Sequence, residues 1–299
     1  MANPVSLGLC LTLSISLGNI TAFLLFTFTE VSKGKVSIDT LDAFNKDNSF
    51  EENSYDYPAP PLNWPADGVV SINDLCLRYH GMENLVLDHV SLSVSPGEKV
   101  AIFGRTGSGK SSTVKTILKL YLPDTEANPR QSITIDGLNV RDVGCLQLRQ
   151  QLGVISQEPI LLRGTLRYNL DPRGMHTDGE LVEAMNSVDL SDLRTEGGDV
   201  LDLKVDISGS NTLSLGQRQL ICLARVLLQK PVVLLMDEAT ANLDEKTEEV
   251  VNKVVLEKLR NTTVIAITHR EKSVVGFNRN IEMANGKILY DKRNVEIHE

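Results

Sequence analysis

A glycine-rich run, Gly104 to Ser111, carries residues whose types and spacing suit the phosphates of a nucleotide. It reads GRTGSGKS, a complete G-x-x-x-x-G-K-[ST] phosphate loop. Glycines let successive backbone N–H groups point at phosphate oxygens, and the N-terminus of a following helix adds about half a positive charge. Lys110 is expected to reach the β and γ phosphates, and Ser111 to ligate Mg²⁺. The candidate nucleotide-binding residues here are Gly104, Arg105, Thr106, Gly107, Ser108, Gly109, Lys110, Ser111 and Ser112. The run predicts a chain that holds a nucleoside triphosphate.

Two acidic residues follow a second apolar run, which extends from Val232 to Met236. Such a run is typical of a strand covered on both faces, and ligands of open α/β sheets gather at the carboxyl ends of strands. Asp237 is therefore expected to hold the Mg²⁺ shell, and Glu238 to polarise the attacking water. The alternative interpretation is an acidic helix cap after a core strand.

The phosphate loop requires a strand before it and a helix after it. The run Lys99 to Phe103 predicts the strand, and apolar spacing predicts a helix from Ser111 to about Leu120. From Val69 onward, apolar runs alternate with amphipathic helices. This order predicts an α/β domain with a largely parallel core sheet.

The heptapeptide at 213–219, LSLGQRQ, leads into a predicted amphipathic helix from Leu220 to Leu228. It resembles the signature motif of ATP-binding cassette (ABC) ATPases, whose usual form is Leu-Ser-Gly-Gly-Gln. Other elements of that family occur in the family's order: Gln157 in ISQE, the D-loop at 241–244, and His269 in ITHR. These matches identify the chain as similar to ABC ATPases.

The resemblance implies a fold and a set of roles. The fold is a P-loop NTPase ABC domain, with a mixed sheet core, an antiparallel β subdomain and a helical subdomain at about 160–228. The implied catalytic residues are Glu238, His269 and Gln157, and the implied Mg²⁺ ligands are Ser111, Gln157 and Asp237. The further residues implied to contact ATP are Tyr79, which would stack on adenine, and Ser214, Gly216, Gln217 and Asp244. The resemblance therefore predicts an ATPase.

Within the family, the chain most resembles the second nucleotide-binding domain of subfamily C, the multidrug-resistance-associated exporters. The stretches that carry this resemblance are 61–65, 104–107, 157–159 with 164–172, and 216–220, within a match from about Pro60 to Ile288. Such domains act head to tail, each phosphate loop covered by the other domain's signature. The implied partners are a second nucleotide-binding domain and transmembrane domains, and the implied cargo is amphipathic organic anions or conjugates.

Three features depart from the family pattern. Leu215 replaces the first glycine of the signature, and its bulk and its aversion to positive φ are expected to weaken that half-site. Glu271 stands where the family usually has Leu. Residues 278–282 are polar where an apolar strand is expected. The last two departures bear on the packing of the C-terminal part of the domain.

The first 44 residues resemble a last membrane helix followed by a cytoplasmic extension. The stretch from Ala2 to Thr29 has no charged side chain and is long enough to span about 30 Å of hydrocarbon. Lys33 and Lys35 follow, and positive charge at this end is typical of the cytoplasmic side of a membrane, where the ATPase domain is expected. The alternative is an apolar helix of a soluble protein. A single membrane helix cannot enclose a transport path, so we expect a part of a transporter.

The remaining segments divide into an acidic, proline-rich linker at 45–68 around Trp64 and the nucleotide-binding domain at 69–299. A formal net charge of −9 disfavours a nucleic acid as a partner, because phosphate backbones bind clustered Lys and Arg. The four cysteines lack metal-ligand spacing. Two other functions stay open: a nucleotide-sensing module or inactive truncated fragment with little turnover, and a soluble ABC ATPase that acts on chromatin or translation.

Overall fold

The computed structural model describes residues 4–47, 56–190, 193, 199–205, 213–269 and 274–293. Glu271 lies outside the described residues, as do parts of the predicted linker and of the helical subdomain. The chain divides into two units, Met1–Glu51 and Glu52–Glu299, and each is described by itself.

Within the described residues, the first unit contains one helix, and the second contains helices and strands interspersed along the chain. The α-helices are α1 (Pro4–Asp47), α2 (Lys110–Ile117), α3 (Cys145–Gln151), α4 (Leu166–Leu170), α5 (Asp178–Ser187), α6 (Leu215–Gln229) and α7 (Glu245–Glu257). The β-strands are β1 (Val70–Leu77), β2 (Leu87–Val94), β3 (Lys99–Phe103), β4 (Ser132–Ile135), β5 (Leu138–Asn139), β6 (Leu152–Ile155), β7 (Gly164–Thr165), β8 (Lys204–Val205), β9 (Val233–Asp237), β10 (Thr263–Ile267), β11 (Arg279–Ala284) and β12 (Lys287–Arg293). Short 3₁₀ helices cover Val140–Asp142 and Val200–Asp202.

The first unit is dominated by α1, a continuous helix. Leu7–Phe44 is long and apolar enough to cross a membrane, and among the described residues it is the one segment that meets this criterion of length and composition. Hydroxyl groups within it bond to the carbonyl four residues back, as Thr21 Oγ1 does to Leu17 O at 2.8 Å. Charged residues begin at Glu30, which pairs with Lys33. The helix therefore has an apolar first part and a charged second part.

The core of the second unit is a six-stranded sheet in the order β12-β11-β3-β10-β9-β6. Neighbouring strands are parallel, except that β12 runs antiparallel to β11. All five residues of β10 are buried, because α4 to α7 cover one face of the sheet, and the antiparallel strands together with α2 and α3 cover the other. The parallel order brings the carboxyl ends of β3, β10, β9 and β6 to one edge, which confirms the predicted fold class.

A second, antiparallel sheet has the order β2-β1-β4-β5. Its apolar side chains form one core cluster with the near face of the central sheet, where Val100 and Ile265 are fully buried. On the other face, the central sheet packs against α4 to α7 in a separate cluster that includes Ile221 and Val255. The domain is thus layered around the central sheet, with the antiparallel sheet, α2 and α3 on one side and α4 to α7 on the other.

Two helix boundaries differ from the sequence predictions. Helix α2 ends at Ile117 rather than near Leu120, because Lys119 adopts a positive φ of 52°. Helix α6 begins at Leu215 rather than at Leu220. Ser214 and Gln217 form a capping box, which starts the helix within the signature itself.

Part of the predicted linker belongs to the packed domain instead. Trp64 is only 6% exposed, and its Nε1 donates to Ile135 O at 2.8 Å. The carboxylate of Asp136 accepts hydrogen bonds from the four successive backbone N–H groups of residues 66–69, at 2.7 to 3.1 Å. The large indole side chain outweighs the acidic and proline-rich surroundings that predicted an extended linker, since its burial removes much apolar area from water.

The polar residues at 278–282 still form most of a strand, β11. Ile281 is fully buried, and the backbone N–H of Asn278 donates to Lys99 O at 3.0 Å. Arg279 is buried, but its guanidinium pairs with Asp291 on β12 and with Glu98. Side-chain partners thus compensate for the polar sequence, and the strand pairs with β3 in parallel register.

Candidate nucleotide-binding site

The phosphate loop connects β3 to α2 and requires glycine at two places. Gly104 has a φ of +149°, and a Cβ there would lie 2.2 Å from Met283 O. Gly109 has a φ of +99°, and a Cβ there would lie 2.7 Å from Leu87 Cδ2. Since backbone and core atoms crowd both positions, any larger residue would displace the loop from the strand edge.

The lysine of the loop is held inside the loop's own curve. Lys110 is 4% exposed, and its Nζ donates to Gly104 O at 2.8 Å and to Arg105 O at 3.0 Å. Burial lowers the pKa of Lys110, while the negative charges of Glu238 and Asp237 oppose that shift. The ammonium therefore lies among backbone carbonyls, and the carboxylates of Glu238 and Asp237 are close enough to interact with it electrostatically.

A serine and an aspartate form the candidate Mg²⁺ site. Ser111 Oγ donates to Asp237 Oδ1 at 2.8 Å, joining α2 to the end of β9. Burial raises the pKa of Asp237, and the hydrogen bond from Ser111 opposes this. Gln157 is exposed two residues beyond β6, where Ile155 pairs with Met236 of β9. Mg²⁺ takes hard oxygen ligands, few of them from the protein, so hydroxyl, carboxylate and carboxamide oxygens at this edge fit the ion.

The candidate base and its histidine lie at the ends of adjacent strands. Glu238 follows β9 with a φ of +49°, and its backbone N–H donates to Ile267 O at 3.0 Å. His269 follows β10, and its Nε2 contacts Glu238 Oε1 directly. The positive φ is uncommon for a residue other than glycine, and it directs the chain out of the strand at the carboxylate. Tertiary contacts thus hold the carboxylate and the imidazole together.

Tyr79 lies beside the start of α2. Its hydroxyl is 2.7 Å from Ser112 Oγ, and its ring meets the ring of Tyr121 edge to face, with centroids 4.6 Å apart. Tyr121 was not among the predicted site residues. The sequence contains no local pattern that indicates this contact, because it joins two segments about 40 residues apart.

The signature and D-loop residues form a second group. Ser214 Oγ accepts from Gln217 N at 3.1 Å, and Ser214 N donates to Gln217 Oε1 at 2.9 Å. A Cβ on Gly216 would lie 3.2 Å from Thr247 Oγ1. Asp244 caps α7, and the hydrogen bond from the backbone N–H of Thr247 lowers the pKa of Asp244. The starts of α6 and α7 are therefore adjacent.

Leu215 is accommodated without the strain that the sequence predicted. It is the first residue of α6, and it is not one of the described residues with positive φ. The expected conflict with a left-handed backbone is therefore wrong for this structure. Only the bulk of the Leu215 side chain at the N-terminus of the helix could then weaken the half-site.

Comparisons with known proteins agree with this geometry. The family model described as "ABC transporter" matches residues 87–241, just over half of the chain. ATP-binding cassette sub-family C member 10 of Mus musculus is 36% identical over 293 residues, which cover 97% of this chain and 19% of the relative. Sub-family C member 4 of Homo sapiens is 34% identical over 287 residues, which cover 95% of this chain and 21% of the relative.

A solved structure shares the fold. A bacterial Atm1-family ABC exporter with ATP bound matches with a TM-score of 0.74 and 25% identity, over 88% of this chain and 44% of that chain. This chain spans about one fifth of the length of the two relatives above. It therefore belongs to the ABC transporter family, contains a nucleotide-binding domain of the exporter type, and is similar in sequence to members of subfamily C.

Proposed function

We propose that the chain binds ATP with Mg²⁺ and hydrolyses it, as the nucleotide-binding part of an ABC exporter. One observation carries this proposal: a phosphate loop, a serine-aspartate pair and a glutamate-histidine pair converge at one sheet edge. The residues are Lys110, Ser111, Asp237, Glu238 and His269. They come from the helix that follows β3 and from the ends of β9 and β10. Phosphoryl transfer by positioning and electrostatics requires such a convergence.

The proposed chemistry assigns one task to each residue. Lys110 offsets phosphate charge, and Ser111, Asp237 and Gln157 hold Mg²⁺, which when bound neutralises charge on the β and γ phosphates. Glu238 accepts a proton from a water molecule. The oxygen of that water attacks the γ phosphorus, and ADP leaves. His269, in contact with the Glu238 carboxylate, orients that base and faces the γ phosphate. Tyr79 provides a ring for adenine beside Ser112.

We propose further that catalysis needs a second nucleotide-binding domain, arranged head to tail. Ser214 is exposed at the start of the 15-residue helix α6, where backbone N–H groups and the helix dipole favour an anion. The absence of a side chain on Gly216 lets α6 approach the capped start of α7, where Asp244 lies. Together, Ser214, Gly216, Gln217 and Asp244 would cover the γ phosphate held by the partner.

The membrane assignment is a proposal of the same kind. The apolar first part of α1 supports a membrane-spanning helix, and the lysines that follow it support a cytoplasmic ATPase domain. The similarity to ABC exporters supports transmembrane domains as partners. Organic anions are proposed as cargo only on the resemblance of the motifs to subfamily C. Leu215 favours a second candidate function, a nucleotide sensor with little turnover, because its side chain adds bulk where a partner's phosphate would approach.

Two substitutions test the proposed function in a complex with a partner domain. Glu238→Gln should lower ATP turnover by about 10²- to 10⁴-fold while ATP stays bound, because only the base is lost. Lys110→Ala should lose both binding and turnover. Glu257→Gln, at an exposed acid at the end of α7, is the matched control and should keep the wild-type rate. Equal turnover by the wild type and Glu238→Gln would refute the catalytic assignment.

A further inference from the structure

A buried amide in the second turn of α6, Gln219, has no role in the function proposed above. Its side chain is 2% exposed, and its Nε2 donates to the backbone carbonyl of Ser156 at 3.1 Å. Ser156 immediately precedes Gln157, a proposed Mg²⁺ ligand. The amide therefore connects the helix that begins in the signature to the loop that carries a metal ligand.

The backbone around Gln157 is held on both sides by hydrogen bonds. On one side, Ser156 O accepts from Gln219. Across the turn, Ser156 Oγ donates to Glu158 O at 2.7 Å. The side chain of Gln157 itself is exposed. The hydrogen bonds of its two neighbours therefore determine the backbone position from which its carboxamide extends.

The carbonyl oxygen of Gln219 has a different environment from its nitrogen. Among the described residues, Oε1 is buried and has no hydrogen-bond partner. A buried acceptor without a partner is costly, and an apolar side chain of the same length would avoid that cost. An amide in this position is explained if the hydrogen bond from Nε2 to Ser156 O positions part of the candidate nucleotide-binding site.

We propose that Gln219 is a positioning residue for Gln157. Its bond to Ser156 sets where the Gln157 carboxamide meets the metal ion, and it couples that position to the signature, because Ser214 and Gln217 cap the same helix one turn earlier. The inference rests on the proposed function, since it presupposes that nucleotide and metal bind at this sheet edge.

The test uses the full chain, Mn²⁺ as the metal probe and an ATP analogue with a β–γ imido bridge, so that turnover is not needed. Gln219→Met removes the donor and keeps the side-chain length. We expect the Mn²⁺ dissociation constant, measured from the electron paramagnetic resonance signal of free Mn²⁺, to rise at least fivefold. The affinity for the analogue without metal should stay within twofold, which a general loss of structure would not allow.

Gln229 provides a matched control on the same helix. Its Nε2 donates to Gln150 O at 3.0 Å and to Leu152 O at 3.2 Å, at the opposite end of β6 from Gln157. Gln229→Met should leave both affinities unchanged. An unchanged Mn²⁺ constant in Gln219→Met, or an equal change in both variants, would overturn the inference.

Two further provisions keep the test decisive. If thermal unfolding shows that Gln219→Met is not folded, Gln219→Asn replaces it, because the shorter side chain keeps the amide but withdraws the donor from Ser156. If the wild-type chain does not bind the analogue, the proposed function fails and this inference fails with it. If the wild-type chain binds the analogue but Gln219→Met leaves the Mn²⁺ dissociation constant unchanged, only this inference is overturned, and the proposed function stands.

Discussion

At the scale of single residues, the site concentrates charge in a partly buried space. Burial raises the pKa of Asp237 and lowers the pKa of Lys110, so both groups hold their charge at a cost. Glu238 adds a second carboxylate on an uncommon backbone conformation. Perturbed groups of this kind cluster at functional sites, where a bound cation and polyanion offset the cost.

Asp237→Asn should therefore stabilise the protein while removing a proposed metal ligand. Ser111 can still donate to the Asn oxygen, and the buried charge is gone. The pKa of Asp237 in the folded protein lies above its ordinary value of 3.8. At a pH above the folded pKa, the carboxylate is ionised in both states and lowers the stability of the folded protein. We expect the free energy of unfolding in urea to rise by about 1 kcal/mol at pH 7.

The gain should fade as the pH falls through the folded pKa toward 3.8, since Asp237 is then protonated in both states. Mg²⁺-dependent ATP binding should be lost at pH 7. A variant less stable than the wild type at pH 7 would contradict the assigned cost of the carboxylate.

At the scale of elements, side chains distant in sequence determine which segments belong to the domain. Trp64 precedes β1, yet its ring joins the core cluster that lies between the two sheets. The carboxylate of Asp136, on the turn after β4, binds the backbone of residues 66–69. The segment before the first strand is thus a structural part of the nucleotide-binding domain.

Trp64→Ala should destabilise the domain by about 3–5 kcal/mol, as is usual for a large aromatic side chain removed from a core. It also leaves Ile135 O without the indole donor. Leu62→Ala is the matched control: Leu62 is fully exposed two residues earlier, and its loss should change stability by less than about 0.5 kcal/mol. Urea unfolding of the full chain measures both. Similar stability of the two variants would show that this segment is a linker after all.

At the scale of the whole molecule, the start of α6 bears on assembly. Leu215 occupies the first helical position of the signature without strain in this chain. Any effect of its side chain must therefore come from contact with a partner rather than from the fold of the domain itself. The proposed head-to-tail complex is where that contact would occur.

Leu215→Gly should strengthen ATP-dependent association of two copies by about tenfold, equivalent to about 1.4 kcal/mol. The measurement is sedimentation in detergent of the Glu238→Gln chain, which is expected to retain ATP, with and without Leu215→Gly. Leu289→Ala removes an exposed leucine on β12 and should leave association unchanged. Association that is weaker or unaltered in Leu215→Gly would mean that the leucine does not obstruct the partner.

Much of the site could be predicted because its chemistry is local in sequence. The phosphate loop and the Asp237-Glu238 pair are each contiguous, and apolar runs before them predict buried strands. Parallel strands place their carboxyl ends at one edge, so contiguous motifs at those ends meet without further information. The family resemblance added the order of the motifs, and the comparisons confirmed the family.

The phosphate loop, the acidic strand end, the α/β class and an apolar N-terminal helix all follow from local patterns in the sequence. The burial of Trp64, the start of α6 at Leu215 and the contact between Tyr79 and Tyr121 emerge only in the folded domain. The same is true of the contact between Gln219 and Ser156. The physical reason is the same for the three side-chain contacts: each joins groups about 40 to 70 residues apart, whose meeting depends on how the layers pack, whereas local pattern reports only the strand or helix that each residue occupies.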